Sequence, residues 1–157
     1  MTRSGLVFVY LAFLTCTWPA RSADVQPYFV SMKNGKTFMR EGPGENFPVK
    51  WVYHRKGLPV EVIASFESWR RVRDMDGEIG WMHMVVLSRD RVAVVKQGIV
   101  EVRARAQTDS KLVATATAGA LGRLKHCGAA ACEVQFEGAG GWVARTQLWG
   151  VHDGERF

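Results

Sequence analysis

Apolar and polar residues alternate along much of the chain after residue 24. Residues 100–105 read VEVRAR and residues 133–137 read EVQFE, while Val60, Val62 and Ala64 occupy every second position in the first half. A period of two places one set of side chains in the interior and the other in water, as an antiparallel strand requires. Beyond residue 24 no apolar stripe with helical spacing continues for several turns. The pattern therefore predicts an all-β protein without long helices.

Turn-forming residues separate the alternating runs. Glycine, proline and asparagine supply the torsion angles that tight turns need. The turn signals are Asn34-Gly35, Gly42-Pro43-Gly44, Lys56-Gly57, Asp76-Gly77, Gly119 and residues 138–141. Several short strands with this punctuation predict a small sandwich or barrel.

The chain also repeats itself. Residues 77–81 read GEIGW and residues 138–142 read GAGGW, so the two tryptophans lie 61 positions apart. Other residues echo at nearly the same spacing: Arg40 with Arg103, Val49 with Leu112 and Leu58 with Leu121 at 63, and Val72 with Val134 at 62. A spacing that shrinks in single steps indicates two one-residue deletions between copies of one unit. We therefore predict two domains, residues 27–88 and 89–150, followed by a C-terminal tail at 151–157.

The Gly-x-x-Gly-Trp motif has a structural interpretation. Its glycines allow the positive φ angles of a tight hairpin. We expect Trp81 and Trp142 to begin the returning strand and to cover one end of a barrel. Units of about 60 residues are marginally stable alone, so we also expect the two barrels to pack against each other.

Residues 1–23 predict a secretory signal peptide. Arg3 gives a positive start, residues 5–14 form an uncharged and mostly apolar run, and small residues follow at 20, 22 and 23. This run is too short to cross a bilayer, which needs about 20 apolar residues. Cleavage after Ser22 or after Ala23 fits the motif.

Cys16 raises the alternative of a lipid anchor on the exported chain. Residues 13–15 read FLT, a poor match to the small residues that usually precede an acylated cysteine. No later segment offers a membrane span, so we expect a periplasmic protein. Loss of residues 1–23 removes Arg3 and Arg21 and lowers the formal charge from +6 to +4. Such a mild excess permits anionic partners without demanding them.

Short motifs in the first repeat point to a known family. They are MREGP (39–43), PVKW (48–51), LPVEV (58–62), WRRV (69–72) and the glycines and tryptophan of 76–81. With these motifs, residues 38–87 resemble the bacterial SH3-like domain family of exported proteins. The second repeat matches more loosely, through Val102-Arg103, Leu121, residues 132–134 and residues 141–143.

The resemblance implies two tandem SH3-like barrels of five or six strands each. It also implies a non-catalytic binding or targeting role at the cell envelope, where members of the wider group contact peptidoglycan or its peptides. Residues 1–157 include no recognisable hydrolase domain, so a structural or assembly factor that binds a protein partner in the periplasm is the alternative.

Cys127 and Cys132 flank a short Gly-Ala-Ala-Ala segment. In an oxidising compartment an even pair across a turn predicts a disulfide, at the position of the Phe66-to-Trp69 turn of the first repeat. Two other interpretations are weaker. Thiol–disulfide enzymes generally place two residues between their cysteines, and a zinc site with His126 would lack a clear fourth ligand.

The sequence offers little for catalysis or cofactors. Both cysteines of the mature chain are assigned to each other, and no Gly-x-Ser-x-Gly motif is present. Asp74, Asp76 and Glu78 cluster in a hairpin, where acids commonly serve turn chemistry. The histidines lack metal-ligand spacing, and no nucleic-acid-binding motif appears. We predict no enzyme, no metal, no cofactor and no nucleic-acid partner.

The candidate ligand-binding residues are aromatic side chains without an obvious inward phase: Tyr28, Phe47, Trp51, Tyr53 and Trp69. We expect them to flank the loop between Arg40 and Val49, where flat rings can stack on sugars or clasp a peptide. The alternative is that they fill the barrel core.

Arginines provide a second group of candidates. Arg70, Arg71 and Arg73 surround Val72, and Arg103 and Arg105 share a face in the second repeat. Arg71 is a candidate for binding carboxylates through paired hydrogen bonds, and the alternative is a solvated strand face.

The second repeat lacks two of these aromatic side chains. Ala114 and Ala131 replace Trp51 and Trp69 there. We therefore assign ligand binding to the first repeat and a supporting role to the second.

Overall fold

A computed structural model describes residues 23–157, so the predicted signal peptide and Cys16 lie outside the described residues. The first repeat forms β1 (Ala23–Met32), β2 (Thr37–Arg40), β3 (Val49–Tyr53), β4 (Pro59–Phe66), β5 (Trp69–Arg73), β6 (Ile79–His83) and β7 (Leu87–Ser88). The second forms β8 (Val92–Val95), β9 (Ile99–Arg103), β10 (Leu112–Thr117), β11 (Leu121–Cys127), β12 (Ala131–Gln135), β13 (Gly140–Ala144) and β14 (Leu148–Trp149). Within this range the helical segments are two single 3₁₀ turns, Met84–Val86 and Arg145–Gln147. The all-β prediction is confirmed.

The strands form two separate antiparallel sheets, one for each repeat. The first has the order β3-β2-β6-β5-β4-β1-β7, and the second has the matching order β10-β9-β13-β12-β11-β8-β14. The two sheets therefore have the same strand topology. We call the two halves barrel one and barrel two.

Equivalent hydrogen bonds occur within each barrel, at residues separated by the predicted spacing. The Arg40 guanidinium donates to the Phe47 carbonyl at 2.8 Å, and the Arg103 guanidinium donates to the Ser110 carbonyl at 2.5 Å. The two donors are 63 positions apart in the sequence, and so are the two acceptors. Arg40 also pairs with Trp81 across the sheet, as Arg103 pairs with Trp142. The duplication extends to individual loop contacts.

Both predicted deletions occur, but one match is wrong by a residue. The Met32 N–H donates to the Leu58 carbonyl, and the equivalent Val95 N–H donates to the Ala120 carbonyl. Leu58 therefore corresponds to Ala120, and the first deletion lies in the turn just before it. An apolar residue also follows Ala120, which made Leu121 a plausible partner in the sequence.

The second deletion shortens the turn that precedes the repeated motif. The Asp74 N–H donates to the Glu78 carbonyl, four residues on, whereas the Phe136 N–H donates to the Ala139 carbonyl, three residues on. Barrel one thus has one residue more in the β5–β6 turn, and Asp74 lies within it.

The two glycines of the repeated motif have different roles. Gly77 has φ +88° and Gly138 has φ +82°, as predicted for a tight turn. The second glycine lacks a positive φ, and a Cβ on Gly80 or Gly141 would lie 2.8 Å or 2.5 Å from the carbonyl oxygen of the facing arginine. The second glycine therefore permits close packing between strands.

The tryptophan of the motif is not placed as predicted. Trp81 is the third residue of β6, and its strand partners are Arg71 and Arg40. It is half-buried and does not belong to the buried cluster of barrel one. Its side chain covers the outer face of the sheet, because the alternating residues Gly80 and Met82 take the buried positions.

Each barrel has its own core. Barrel one buries three methionines, Met32, Met39 and Met82, together with the valines of β1, β4 and β5. The core of barrel two consists mainly of smaller side chains, among them Val100, Val102, Val134 and Val143, and includes the two cysteines. Two compact clusters explain why the halves form separate sheets.

The two barrels contact each other, as expected for such small units. Phe29 of β1 is buried against the Trp149 ring at 5.1 Å and the His152 ring at 4.6 Å, measured between ring centroids. The Arg55 guanidinium donates to the Gly119 carbonyl at 2.8 Å. Aromatic packing and hydrogen bonding therefore hold the two barrels together.

The C-terminal tail folds onto barrel two. Arg145 is buried and donates to the carbonyl oxygens of Gly128, His152 and Glu155. The Cys127 N–H donates to the Phe157 carbonyl at 3.0 Å, which extends pairing along the edge of β11. Residues 151–157 thus form part of the second folded unit.

Candidate functional site

The exposed edge strand β3 carries the main candidate surface of barrel one. All its side chains except Tyr53 are exposed, and Trp51 has an exposed fraction of 48%. The pairing shifts between Met39 and Arg40, so that Lys50 is the extra residue of a β-bulge. A bulge redirects neighbouring side chains away from strict alternation. It explains how Lys50 and Trp51 both reach the β5–β6 turn.

Glu78 connects that turn to β3. The Lys50 ammonium lies 2.8 Å from the Glu78 carboxylate and donates to the Ile79 carbonyl at 3.0 Å. Side-chain hydrogen bonds, first from Lys50 and then from Trp51, hold the pKa of Glu78 below its ordinary value. The exposed indole thus lies beside the Lys50–Glu78 ion pair. We call Lys50, Trp51 and Glu78 the Trp51 surface.

Tyr53 anchors the inner end of the same strand. Its hydroxyl donates to Asp74 at 2.7 Å, while the other Asp74 oxygen accepts from the N–H groups of Asp76 and Glu78. Burial, followed by the hydrogen bond to Asp74, raises the pKa of Tyr53 well above its ordinary value. Tyr53 also packs against the core. Tyr53 therefore connects β3 to the β5–β6 turn and to the core.

Phe47 is exposed, but one side of its ring packs against its own loop. A Cβ on Gly42 would lie 2.3 Å from its ring, so the ring covers that glycine. The absence of a side chain at Gly42 is what admits the ring. Phe47 therefore shapes the loop between β2 and β3.

Trp69 and Arg71 lie on β5, two strands away from β2 in the sheet order. Trp69 is half-buried and packs edge-on against His83, with ring centroids 5.2 Å apart. Arg71 is exposed, and within residues 23–157 its side chain makes no ion pair or hydrogen bond. Arg73 is instead paired with the buried Glu61 at 2.6 Å. Of this arginine group, Arg71 retains its guanidinium for solvent or a ligand.

Tyr28 lies apart from the other candidates. It belongs to β1, which is near the opposite edge of the sheet order from β3. The structure thus unites Trp51 and Tyr53 around the β5–β6 turn but places Tyr28 at a different location. Lys50 and Glu78 were not identified from the sequence as part of this surface, because a lysine beside a tryptophan gives no sign of a bulge.

The predicted disulfide is present between Cys127 and Cys132. These residues are opposite each other at the end of the β11–β12 hairpin. The matching pair in barrel one is Ser65 and Arg70, next to the Phe66–Trp69 turn. The disulfide therefore closes the hairpin at the predicted position.

Barrel two lacks the Trp51 surface. Val113, Ala114 and Ala116 occupy the positions of Lys50, Trp51 and Tyr53 in β10. Ala131 and Ala144 replace the Trp69–His83 pair and leave a shallow cavity of about 190 Å³ beside Trp142. The two repeats have kept one fold but present different surfaces.

Across the described part of the chain, no three metal-ligating side chains gather into a group that could hold an ion. In residues 23–157 there is also no helix long and apolar enough to cross a membrane. The titratable groups of the Trp51 surface are engaged in pairing and turn formation.

The model of the family described as bacterial SH3 domain matches residues 33–88 and again residues 96–150. The chain belongs to this family. Each match falls within one sheet and leaves out only that sheet's first strand, β1 or β8, so the bacterial SH3 domain is present as a tandem. No curated protein matches the chain significantly.

Two solved structures are similar to the tandem. NlpC2 from Trichomonas vaginalis has 9% identity and a TM-score of 0.37, with 79% of this chain and 48% of that chain covered. NlpC1 from the same organism has 11% identity and a TM-score of 0.35, with 87% and 50% covered. The chain therefore spans about half the length of these proteins.

Proposed function

We propose that the protein is a non-catalytic, exported binding module of the cell envelope that recognises peptidoglycan or its peptides through barrel one. Membership of the bacterial SH3 domain family supports a role at the envelope. The observation that carries the proposal is the exposed Trp51 indole, which lies beside the Lys50–Glu78 ion pair.

Such a surface suits a ligand with both apolar and charged faces. An indole has few rotatable bonds and loses little conformational freedom on binding, and its face can stack on a sugar ring or a peptide plane. Lys50 and Glu78 can exchange part of their mutual pairing for carboxylate and amino groups of a wall peptide. Barrel two, without these residues, supports barrel one.

Retention on purified wall sacculi tests this proposal. The protein is incubated with sacculi, which are pelleted and washed, and the bound fraction is measured over a range of sacculus concentrations. Removal of the stacking ring in Trp51→Ala should weaken retention about fivefold or more. The unfolding transition of the variant should match the unaltered protein, because Trp51 is half exposed and outside the core.

Ile99→Ala is the matched control. Ile99 is the most exposed large apolar residue of barrel two, with an exposed fraction of 72%. Its removal should leave retention unchanged. Absence of retention by the unaltered protein, or equal retention by the Trp51→Ala protein, would refute the proposal.

A further inference from the structure

Barrel one has an open end on the side opposite the Trp51 surface in the sheet order. A cavity of about 490 Å³ opens there, where β7 stops at Ser88 while β1 continues along β4. Its floor contains Val30 and Val62 of the barrel core. Its rim includes Tyr28, Arg70, Met84, Arg89 and Arg91, and Arg91 is already paired with Glu155 of the tail. The cavity thus borders the buried core of barrel one at Val30 and Val62.

Barrel two has its matching end closed by its own tail. Phe29 pairs with Glu61 and Val92 pairs with Arg123, so the preceding residues, Tyr28 and Arg91, occupy equivalent positions. Met84 and Arg145 are likewise equivalent, because each begins the 3₁₀ turn of its repeat. The tail contacts both Arg91 and Arg145. It therefore fills in barrel two the place that is open in barrel one.

The tail provides two kinds of contact at this place. Val151 is buried in the core of barrel two and supplies the apolar anchor. Four residues later, the Glu155 carboxylate pairs with Arg91 at 2.5 Å, and Arg145 binds tail carbonyl oxygens. An extended segment with an apolar residue followed by an acid thus matches this end of the fold.

We propose that the open end of barrel one binds an extended peptide segment of a partner protein, with an apolar side chain over Val30 and Val62 and an acidic side chain near Arg89. Tyr28 and Met84 occupy the positions that the tail-binding arginines hold in barrel two, so this part of the rim is apolar and holds the anchor. Arg89 is exposed and, within residues 23–157, makes no side-chain hydrogen bond or ion pair. Arg70 donates to backbone carbonyl oxygens and Arg91 is paired with Glu155, so Arg89 is the rim cation left for the acid. This site is separate from the Trp51 surface and does not depend on wall binding.

Backbone amide chemical shifts locate the site. The probe is the nonapeptide WGVHDGERF, which copies residues 149–157, acetylated at its N-terminus and titrated into the isotopically labelled full chain. We expect saturable shifts at Tyr28, Met84 and Leu87, with barrel two resonances changing less. A matched probe with valine replaced by serine should bind about tenfold more weakly, because the apolar anchor is lost.

Charge reversal at the rim provides the protein-side test. Arg89→Glu should weaken probe binding about fivefold, whereas Arg123→Glu, an exposed arginine of barrel two, should leave it unchanged. The Trp51→Ala protein should bind the probe normally, and the Arg89→Glu protein should still be retained on sacculi. Failure of either proposal is therefore distinguishable from failure of the other.

Three outcomes would overturn the proposal. The first is equal binding of the valine and serine probes, and the second is a set of shifts confined to barrel two. The third is a free protein whose cavity is already occupied by a second copy, seen as a dimer by light scattering with blocked probe binding. Any of these would remove a partner peptide as the occupant.

Discussion

At the scale of single residues, Tyr53 connects the core of barrel one to the β5–β6 turn. Its ring packs on the core while its hydroxyl reaches Asp74, which also accepts two backbone N–H groups of the β5–β6 turn. The exposed Trp51 lies two residues earlier on the same strand. Tyr53 thus fixes the strand from which Trp51 projects.

Replacement of Tyr53 by phenylalanine tests this role. Loss of the hydroxyl leaves the ring packing intact but removes a charge-assisted hydrogen bond, so the free energy of unfolding should fall by about 1–2 kcal/mol. Denaturant titration measures the change. Tyr28→Phe is the control, because Tyr28 is exposed and should tolerate the same substitution with no measurable effect. Equal stability of the two variants would contradict the assignment.

At the scale of elements, the repeated motif makes each β-hairpin fit its barrel. Its first glycine forms the turn, and its second brings β6 against β2, or β13 against β9. The same backbone approach occurs twice at the same relative position. The motif is therefore a packing device of the fold, independent of ligand binding.

Alanine substitutions separate the two glycine roles. Gly80→Ala should lower the free energy of unfolding by about 2–3 kcal/mol, because its Cβ would meet Met39 and the Arg40 carbonyl. Gly77→Ala should cost about 1 kcal/mol, since it only forces alanine into a positive φ. Gly35→Ala, with open space around it, should be nearly neutral. Thermal or denaturant unfolding of the three variants gives the order, and a Gly77 effect larger than the Gly80 effect would contradict this division.

At the scale of the whole molecule, residues 151–157 of the tail contact both the connection between the two sheets and barrel one. Glu155 pairs with Arg91, which lies in the connection between the two sheets. His152 contacts Phe29 of barrel one and lies 3.6 Å from the buried Glu61. The second barrel, the linker and the first barrel are thus held together through seven residues at the C-terminus.

Acid should release part of this connection. Burial of the Glu155 carboxyl favours its neutral form, but hydrogen bonds from Arg91 and the His152 N–H outweigh it and lower the pKa below 4.5. A carboxyl group with a lowered pKa contributes stability above its unfolded pKa and loses it as the pH falls through the folded pKa. Glu155→Gln should therefore be less stable than the unaltered protein at neutral pH, by about 1 kcal/mol.

The difference should vanish well below pH 4.5. Denaturant unfolding of both proteins across this pH range measures the difference directly. The other carboxyl groups are the same in both proteins, so their contributions to the pH dependence cancel in the comparison. A stability difference that persists in acid would show that the Glu155 contact acts without its charge.

Local patterns in the sequence were sufficient for much of this architecture. Alternation predicted the strands, the spacing of 61 to 63 predicted two equivalent units, and Cys127 and Cys132 predicted the disulfide. Each of these depends on residues that are neighbours along the chain or on the same pattern occurring twice. Such information survives in the order of amino acids without knowledge of distant contacts.

Long-range packing determined which side chains meet. The bulge at Lys50 turns it and Trp51 toward Glu78, Tyr28 lies far from them in the sheet order, and Trp81 remains outside the core. The tail closes barrel two and leaves barrel one open, although the repeats look alike in sequence. These results depend on strand pairing and on the volume left between distant segments, which exist only once the chain has folded.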